Sequence, residues 1–235
     1  MAIFAISDLH LSFGCDKPMN VFSNKWDNYT DKMQKVWNTI VSDDDLVIIP
    51  GDISWATYID DATDDFAYIH SLKGKKLLLK GNHDYWWTTI SKMDAFLEKN
   101  GFDSISILKN TAFMYGETAI CGTRGWTIPS ADTPPDNENV KIYERERQRL
   151  ILSLEDAKSK RAKKIICAMH YPPIENDCIR KGFTDILNEY NVSECLYGHL
   201  HAAAHKSALT GVHGGINLRL VSCDYLDFIP LLIEK

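Results

Sequence analysis

The sequence has no excess of basic residues. Its 26 lysines and arginines stand against 32 aspartates and glutamates, which gives a formal net charge of −6 at pH 7. A general nucleic-acid binder needs a basic face for the phosphate backbone, so this charge argues against one. Two short basic runs occur at 73–76 and 158–164. The second is expected at the solvated C-terminal end of a helix, where cations interact favourably with the helix dipole.

The sequence also lacks a long apolar run. Its first apolar segment, residues 2–6, is too short to span a membrane, and no basic region or cleavage site of a secretory signal accompanies it. The six cysteines include no Cys-x-x-Cys pair, so reduced and mostly buried thiols are expected. These features predict a cytoplasmic protein with no membrane partner.

No internal repeat, low-complexity tract or clear linker is visible, and we expect a single domain over residues 1–235. Continuous apolar runs that stop at polar loops are typical of strands covered on both faces. Segments with apolar residues at helical spacing alternate with these runs, which indicates an α/β fold. The runs are 3–6, 46–49, 77–79, 165–169 and 194–197, and the helical segments are 29–42, 60–72, 88–99 and 138–160.

Two regions depart from this alternation. Residues 105–121 and 204–233 contain short strand-like pieces separated by turn residues, which is typical of antiparallel strands. Two partly mixed sheets with helices outside them are therefore predicted. The loop at 127–137 is rich in helix-breaking residues, and this loop and the segment 13–29 are candidate lids.

Polar side chains follow the predicted strands at the point where each strand ends. Five of the eight histidines lie at these positions. In open α/β sheets the carboxyl ends of the strands are where ligands bind. The groups are Asp8 with His10, Asp52, Asn82 with His83 and Asp84, His170, and His199 with His201.

This set of donors predicts a metal site. Carboxylate and amide oxygens mixed with imidazole nitrogens suit Mn, Fe or Zn, with Ni or Mg as alternatives, and no thiolate is needed. Seven candidate ligands are too many for one tetrahedral ion and are about right for two divalent ions that share a carboxylate. The candidates are Asp8, His10, Asp52, Asn82, His170, His199 and His201.

The ordered motifs D-x-H, G-D, G-N-H-D, H and G-H-x-H resemble those of the calcineurin-like metallophosphoesterase superfamily. They stand here as Asp8–His10, Gly51–Asp52, Gly81–Asp84, His170 and Gly198–His201, and they cover nearly the whole chain. The resemblance implies a four-layer α/β/β/α sandwich with two mixed β-sheets and a metal site at the carboxyl ends of strands.

The resemblance also implies a role for each ligand. One ion would be held by Asp8, His10, Asp52 and His201, and the other by Asp52, Asn82, His170 and His199. Asp52 would thus bridge two ions. The nucleophile would be a hydroxide bridging the ions, its pKa lowered by them. Asn82 would also contact the substrate.

His83 is not part of this ligand set. The resemblance implies that it donates a proton to the leaving alkoxide or stabilises the charge that develops there. Asp84 would hold the His83 imidazole in the required tautomer. A plain loop hydrogen bond between His83 and Asp84 is the structural alternative. Glycine at 81 allows a tight turn close to the metals.

Single positions separate this chain from several subfamilies. Serine/threonine protein phosphatases continue the second motif as G-D-x-x-D-R-G, and purple acid phosphatases have a tyrosine ligand three residues after the aspartate. This chain has Trp55 there, which cannot ligate a metal. Arg124, between two glycines, is a candidate phosphate-binding arginine, with a surface-turn arginine as the alternative.

Together these residues predict a cytoplasmic, dinuclear metal-dependent phosphoesterase that acts on a small phosphate ester or a nucleotide. A phosphodiesterase or nuclease is the second enzyme hypothesis, since both reactions need leaving-group protonation. A metal-bearing interaction module without catalysis is the third.

Overall fold

The computed structural model describes residues 1–129, 137–174 and 182–235. The chain forms two compact units, the first made of Met1–Ile107 with Val221–Lys235 and the second of Leu108–Leu220. The expectation of a single domain over 1–235 stays a prediction. Within the described ranges, every helix is too short or too polar to cross a membrane.

The first unit contains a five-stranded mixed sheet. Its strands lie in the order β11-β1-β2-β3-β4, and all neighbours are parallel except β11, which pairs antiparallel with β1. The strands are β1 (Ile3–Ala5), β2 (Leu46–Pro50), β3 (Lys75–Leu79), β4 (Ile105–Ile107) and β11 (Leu231–Glu234). The helices are α1 (Tyr29–Ile40), α2 (Thr63–Ser71) and α3 (Ile90–Asn100), with 3-10 turns at Met19–Val21, Asn24–Trp26 and Ile59–Ala62.

The interior of this unit follows from the apolar runs. All five residues of β2 are buried, as expected for a central parallel strand. The helix α1 turns Met33 and Trp37 into the core at a spacing of four residues. The Lys76 side chain is buried in β3, and its ammonium donates to the carbonyl oxygens of Leu72 at 2.6 Å and Gly74 at 2.8 Å. Those carbonyls follow α2, so Lys76 caps the chain leaving this helix.

The second unit contains a six-stranded mixed sheet in the order β5-β6-β7-β8-β10-β9. The central pairs β6/β7, β7/β8 and β8/β10 are parallel, whereas the two edge pairs are antiparallel. The strands are β5 (Phe113–Tyr115), β6 (Thr118–Thr123), β7 (Lys164–Met169), β8 (Glu194–Tyr197), β9 (Gly211–His213) and β10 (Ile216–Leu220). The helices are α4 (Asn137–Ser159) and α5 (Thr184–Glu189), with a 3-10 segment at Ala202–Ser207.

The predicted α/β fold with two mixed sheets is confirmed. The five apolar runs form β1, β2, β3, β7 and β8, and the antiparallel pieces predicted within 105–121 include the hairpin β5/β6. One detail differs, because β4 does not join that hairpin but pairs parallel with β3 in the first unit. The helix α3 supplies the crossover that a parallel pair requires. Of the predicted 127–137 loop, residues 130–136 lie outside the described ranges.

Candidate metal centre

The loops after β1 and β2 are joined through their backbones in the first unit. The amide of Asp8 donates to the carbonyl oxygen of Gly51 at 2.9 Å, and the amide of His10 donates to that of Asp52 at 3.0 Å. Because β1 and β2 are parallel neighbours, their carboxyl ends meet at one edge of the sheet. The two loops therefore present their side chains together.

Three predicted ligands, Asp8, His10 and Asp52, are brought together by these loops. Ligand atoms of Asp8 lie within 4.8 Å of those of His10 and of Asp52. His10 Nε2 is 3.7 Å from Asp52 Oδ2. All three residues are buried. Two carboxylates and an imidazole at this spacing, shielded from water, could hold a divalent metal ion.

The same residues have strained backbones. Asp8, His10 and Asp52 have φ values of 60°, 45° and 51°, in the left-handed region that non-glycine residues rarely adopt. In the second unit His199 does so too, with φ of 72°. Each such residue costs of order 1–3 kcal/mol, and this cost is typical of functional sites where side-chain placement matters more than local stability.

Asp52 is also held by the loop after β3. The amide of His83 donates to Asp52 Oδ1 at 2.8 Å, whereas Oδ2 is the oxygen nearest His10. A Cβ at Gly81 would lie 2.1 Å from Asp52 Oδ1 and 2.2 Å from the Asp52 nitrogen. Only glycine therefore fits at position 81 while Asp52 keeps its place.

Asp84 organises the backbone of these loops. Its Oδ2 accepts hydrogen bonds from the amides of Gly81 and Asp52, and its Oδ1 accepts from the amide of Ile53 at 2.8 Å and the indole of Trp86 at 3.1 Å. The carboxylate is fully buried. These contacts show what Asp84 does for the loops, and its predicted pairing with His83 stays a prediction.

His83 and Asn82 lie half-buried in the loop after β3. The His83 ring centroid is 5.7 Å from that of His10, so the predicted proton donor lies beside one of the candidate ligands. Tyr85 touches it edge-on at 6.2 Å.

A further buried carboxylate, Asp65, supports the loop after β2. It accepts hydrogen bonds from the amide of Phe13 at 2.8 Å and from the hydroxyl of Ser54. Burial raises the pKa of Asp65, and the two hydrogen bonds oppose this rise. Asp65 thus connects the segments that follow His10 and Asp52.

In the second unit two predicted histidine ligands are neighbours. The rings of His170 and His199 are 5.1 Å apart, and Tyr171 packs against His199 at 4.1 Å. The amide of Gly198 donates to the carbonyl oxygen of His170 at 3.1 Å, which ties the loops after β7 and β8 together. His201, half-buried, directly precedes the 3-10 segment.

Arg124 follows β6, and its backbone and side chain have separate contacts. Its carbonyl oxygen accepts from the amides of His170 at 3.1 Å and Tyr171 at 2.9 Å. Its guanidinium lies 3.5 Å from Glu146 Oε1 and stacks over Trp126 at 4.5 Å. Burial lowers the pKa of Arg124, and Glu146 opposes this effect. Arg124 is therefore a packed arginine paired with a buried carboxylate.

Sequence reasoning missed two residues that donate hydrogen bonds to the candidate ligand Asp8. The hydroxyl of Ser7 donates to Asp8 Oδ2, and the thiol of Cys223 donates to the Asp8 carbonyl oxygen at 2.9 Å. Ser7 could have been found from its position directly before Asp8, whereas Cys223, far away in the chain, gave no signal.

The family comparison agrees with this geometry. The family model described as calcineurin-like phosphoesterase matches residues 1–203. The chain belongs to this family and is a metal-dependent phosphoester hydrolase. A search of curated proteins finds no sequence with a significant match.

Solved structures show the same fold at low sequence identity. TT1561 of Thermus thermophilus is 12% identical with a TM-score of 0.60, over 99% of this chain and 97% of that one. The phosphopantetheinyl hydrolase PptH of Mycobacterium tuberculosis is 14% identical with a TM-score of 0.55, over 99% of this chain and 95% of that one. The protein of unknown function AQ665 from Aquifex aeolicus is 15% identical with a TM-score of 0.50, over 98% of this chain and 95% of that one.

Proposed function

We propose that this chain is a dinuclear metal-dependent phosphoesterase that hydrolyses a small phosphate ester or a nucleotide. The observation that carries the proposal is the buried group of Asp8, His10 and Asp52, two carboxylates and one imidazole on strained backbone. A strained backbone and buried carboxylate charges are both unfavourable for folding. A bound cation would offset the cost of the buried charges.

The donor chemistry fits the implied metals. Hard oxygens and imidazole nitrogens match Mn, Fe or Zn, with Ni or Mg as alternatives. Asp52 suits the shared position, because its Oδ1 is oriented by the His83 amide while Oδ2 points toward His10. The proposed ligands are Asp8, His10, Asp52 and His201 for one ion and Asp52, Asn82, His170 and His199 for the other.

When bound, two such ions supply a nucleophilic hydroxide at neutral pH and neutralise charge on the phosphoryl oxygens. His83 would donate a proton to the leaving oxygen, because its ring lies beside His10 but is not needed as a ligand. Asp84 would fix the loop that carries His83 through the Gly81 amide. Asn82 and Arg124 would contact the phosphate.

We also propose a cytoplasmic location. Support comes from the cysteines, since the five that the structure describes are free thiols and four of them are buried. Fractionation of cells that express the chain, followed by detection in the soluble fraction, tests this.

Metal-restored hydrolysis tests the proposal. Chelator-stripped protein receives Mn, Zn, Fe(II), Ni or Mg, and each form is offered 4-nitrophenyl phosphate, its bis-ester and a phosphopantetheinyl ester. We expect at least one metal to restore turnover, and Asp52→Asn to lower it about 100-fold or more on every ester. His83→Ala should lower it about 100-fold or more only on the phosphopantetheinyl ester, because 4-nitrophenolate leaves without a proton. The preferred ester decides between phosphomonoesterase and phosphodiesterase. Two bound ions without turnover on any ester would favour the non-catalytic interaction module.

A further inference from the structure

Trp55 touches both histidines of the first unit's candidate site. Its ring stacks on His10 with a centroid distance of 4.8 Å and an interplanar angle of 23°. It also packs on His83 at 4.6 Å and 49°. One indole therefore contacts the predicted ligand and the predicted proton donor at the same time.

The indole is itself fixed from several sides. The backbone amide of Trp55 donates to the carbonyl oxygen of Leu11 at 2.9 Å, which ties it to the residue after His10. Its indole N–H points at the sulfur of buried Met19 at 3.3 Å. The ammonium of Lys17 lies 4.6 Å from the ring centroid, a cation–π distance. Trp55 is thus a rigid surface rather than a mobile side chain.

We infer that Trp55 is a positioning residue that fixes the ring planes of His10 and His83. The torsion that rotates an imidazole about its Cβ–Cγ bond is broad, so a flat neighbour that stacks on the ring favours one plane. The ring of Trp55 supplies that neighbour to both histidines. An aliphatic side chain at position 55 would fill space but would remove the flat face that contacts both rings.

The consequence for the reaction rests on the proposed function. A proton donor that is misplaced by about 1 Å loses about 100-fold in rate. The part of this loss that acts through His83 concerns only substrates whose leaving oxygen needs a proton, and a bound metal would itself hold the His10 ring. Trp55→Leu should therefore lower kcat for alkyl phosphates about 100-fold and for 4-nitrophenyl phosphate by less than about 5-fold. Trp55→Phe, which keeps an aromatic face, should recover most of the loss.

The direct test uses metal-free protein and needs no activity. In ¹³C,¹⁵N-histidine-labelled protein, ring-current shifts of the His10 and His83 Hε1 protons report the stacked indole. Trp55→Leu should remove the contribution of the indole to these shifts and broaden or average the two signals, whereas Trp55→Phe should keep that contribution in reduced form. The smaller contributions of Trp26 to His10 and of Tyr85 to His83 should remain in both variants. His70 and His213 are internal controls, because the first packs on Phe102 and the second contacts the Thr210 carbonyl oxygen.

Each outcome decides the inference. Unchanged His10 and His83 signals in folded Trp55→Leu would overturn it, even if the chain proves to be a phosphoesterase. If the shifts are lost in Trp55→Leu but the wild type hydrolyses none of the esters, the positioning role of Trp55 would stand and the proposed function would be wrong. If Trp55→Leu does not fold, Trp55→Phe carries the test, and wild-type shifts without any ring-current contribution would overturn the inference. A Trp55→Leu loss that persists in the His83→Ala background would also contradict action through His83.

Discussion

The carboxylate of Asp84 holds the backbone of Asp52, whose amide donates to Asp84 Oδ2 at 3.0 Å. The same oxygen accepts from the amide of Gly81 at 2.7 Å. One buried side chain therefore connects the loop that carries Asp52, the proposed shared ligand, to the loop that carries Asn82 and His83. The candidate site depends on this connection before any ion binds.

Replacing Asp84 should destabilise the protein as well as the site. In Asp84→Asn the amide nitrogen would face backbone N–H groups that now donate to the carboxylate, so buried donors lose their partner. We expect a loss of about 2–3 kcal/mol in the free energy of unfolding, measured by urea denaturation. Asp103→Asn is the control, because that side chain is 92% exposed, and it should change stability by less than about 0.5 kcal/mol. Equal stabilities of Asp84→Asn and wild type would contradict the role of the Asp84 carboxylate in holding these two loops.

Gly81→Ala should weaken metal binding through Asp52. The new Cβ would lie 2.1 Å from Asp52 Oδ1, so the carboxylate must shift. We expect Mn²⁺ affinity, measured by calorimetry on chelator-stripped protein, to fall about 10-fold or more, as for loss of a residue that orients a ligand.

Gly101→Ala separates this clash from a general loss of stability. Gly101 has a φ of +70°, and a Cβ at this position would meet nothing within 4 Å. The substitution should cost about 1–2 kcal/mol of stability through backbone strain alone. Its Mn²⁺ affinity should equal that of the wild type. A similar loss of affinity in both variants would refute the specific role of position 81.

Lys76 should make stability depend on pH. Burial lowers its pKa from 10.5 to about 8. Between these values the unfolded chain binds more protons than the folded one, so stability should rise with pH from about 8 toward 10.5. The comparison is urea unfolding of wild type and Lys76→Met at pH 7 and pH 9.5.

At pH 7 we expect Lys76→Met to be about 2 kcal/mol less stable, because the carbonyl oxygens after α2 lose their donor. The advantage of the wild type should be larger at pH 9.5. A smaller advantage at the higher pH would have the wrong sign for a lysine with a lowered pKa.

Arg124→Lys tests the proposed phosphate contact. A lysine keeps the charge but not the planar fork that grips two phosphate oxygens, so KM should rise about 10-fold with kcat nearly unchanged. Arg149 is the matched control, because it binds the same Glu146 carboxylate at 2.6 Å. Arg149→Lys should leave KM unchanged. If both variants alter stability alone, the Glu146 pairing is the whole role of Arg124.

The sequence was most informative where the signal is local. Apolar runs such as 46–49 predicted buried strands, and the polar residues directly after them predicted the groups now found together at Asp8, His10 and Asp52. The two-residue spacing of Asp8 and His10 marked them as a pair. Their left-handed backbone was not predictable, because only the surrounding loops compensate for its cost.

Contacts between distant segments were beyond a sequence pattern. Lys76 belongs to a basic run but is buried, because the carbonyl oxygens that it caps come from a neighbouring turn. Trp55 was recognised only as a residue that cannot ligate, while its stacking on two histidines depends on how three loops meet. Asp84 also accepts hydrogen bonds from backbone amides of the loop after β2, which its position next to His83 in the sequence does not reveal.

The central claim is that hydrolysis depends on two ions held by the proposed ligands. The most direct measurement is a titration of Mn²⁺ into chelator-stripped protein, with bound metal and hydrolysis of 4-nitrophenyl phosphate recorded on the same samples. We predict two ions per chain, activity that rises with the second, and loss of both binding and activity in Asp52→Asn. Full activity without metal, or with one ion per chain, would contradict the account.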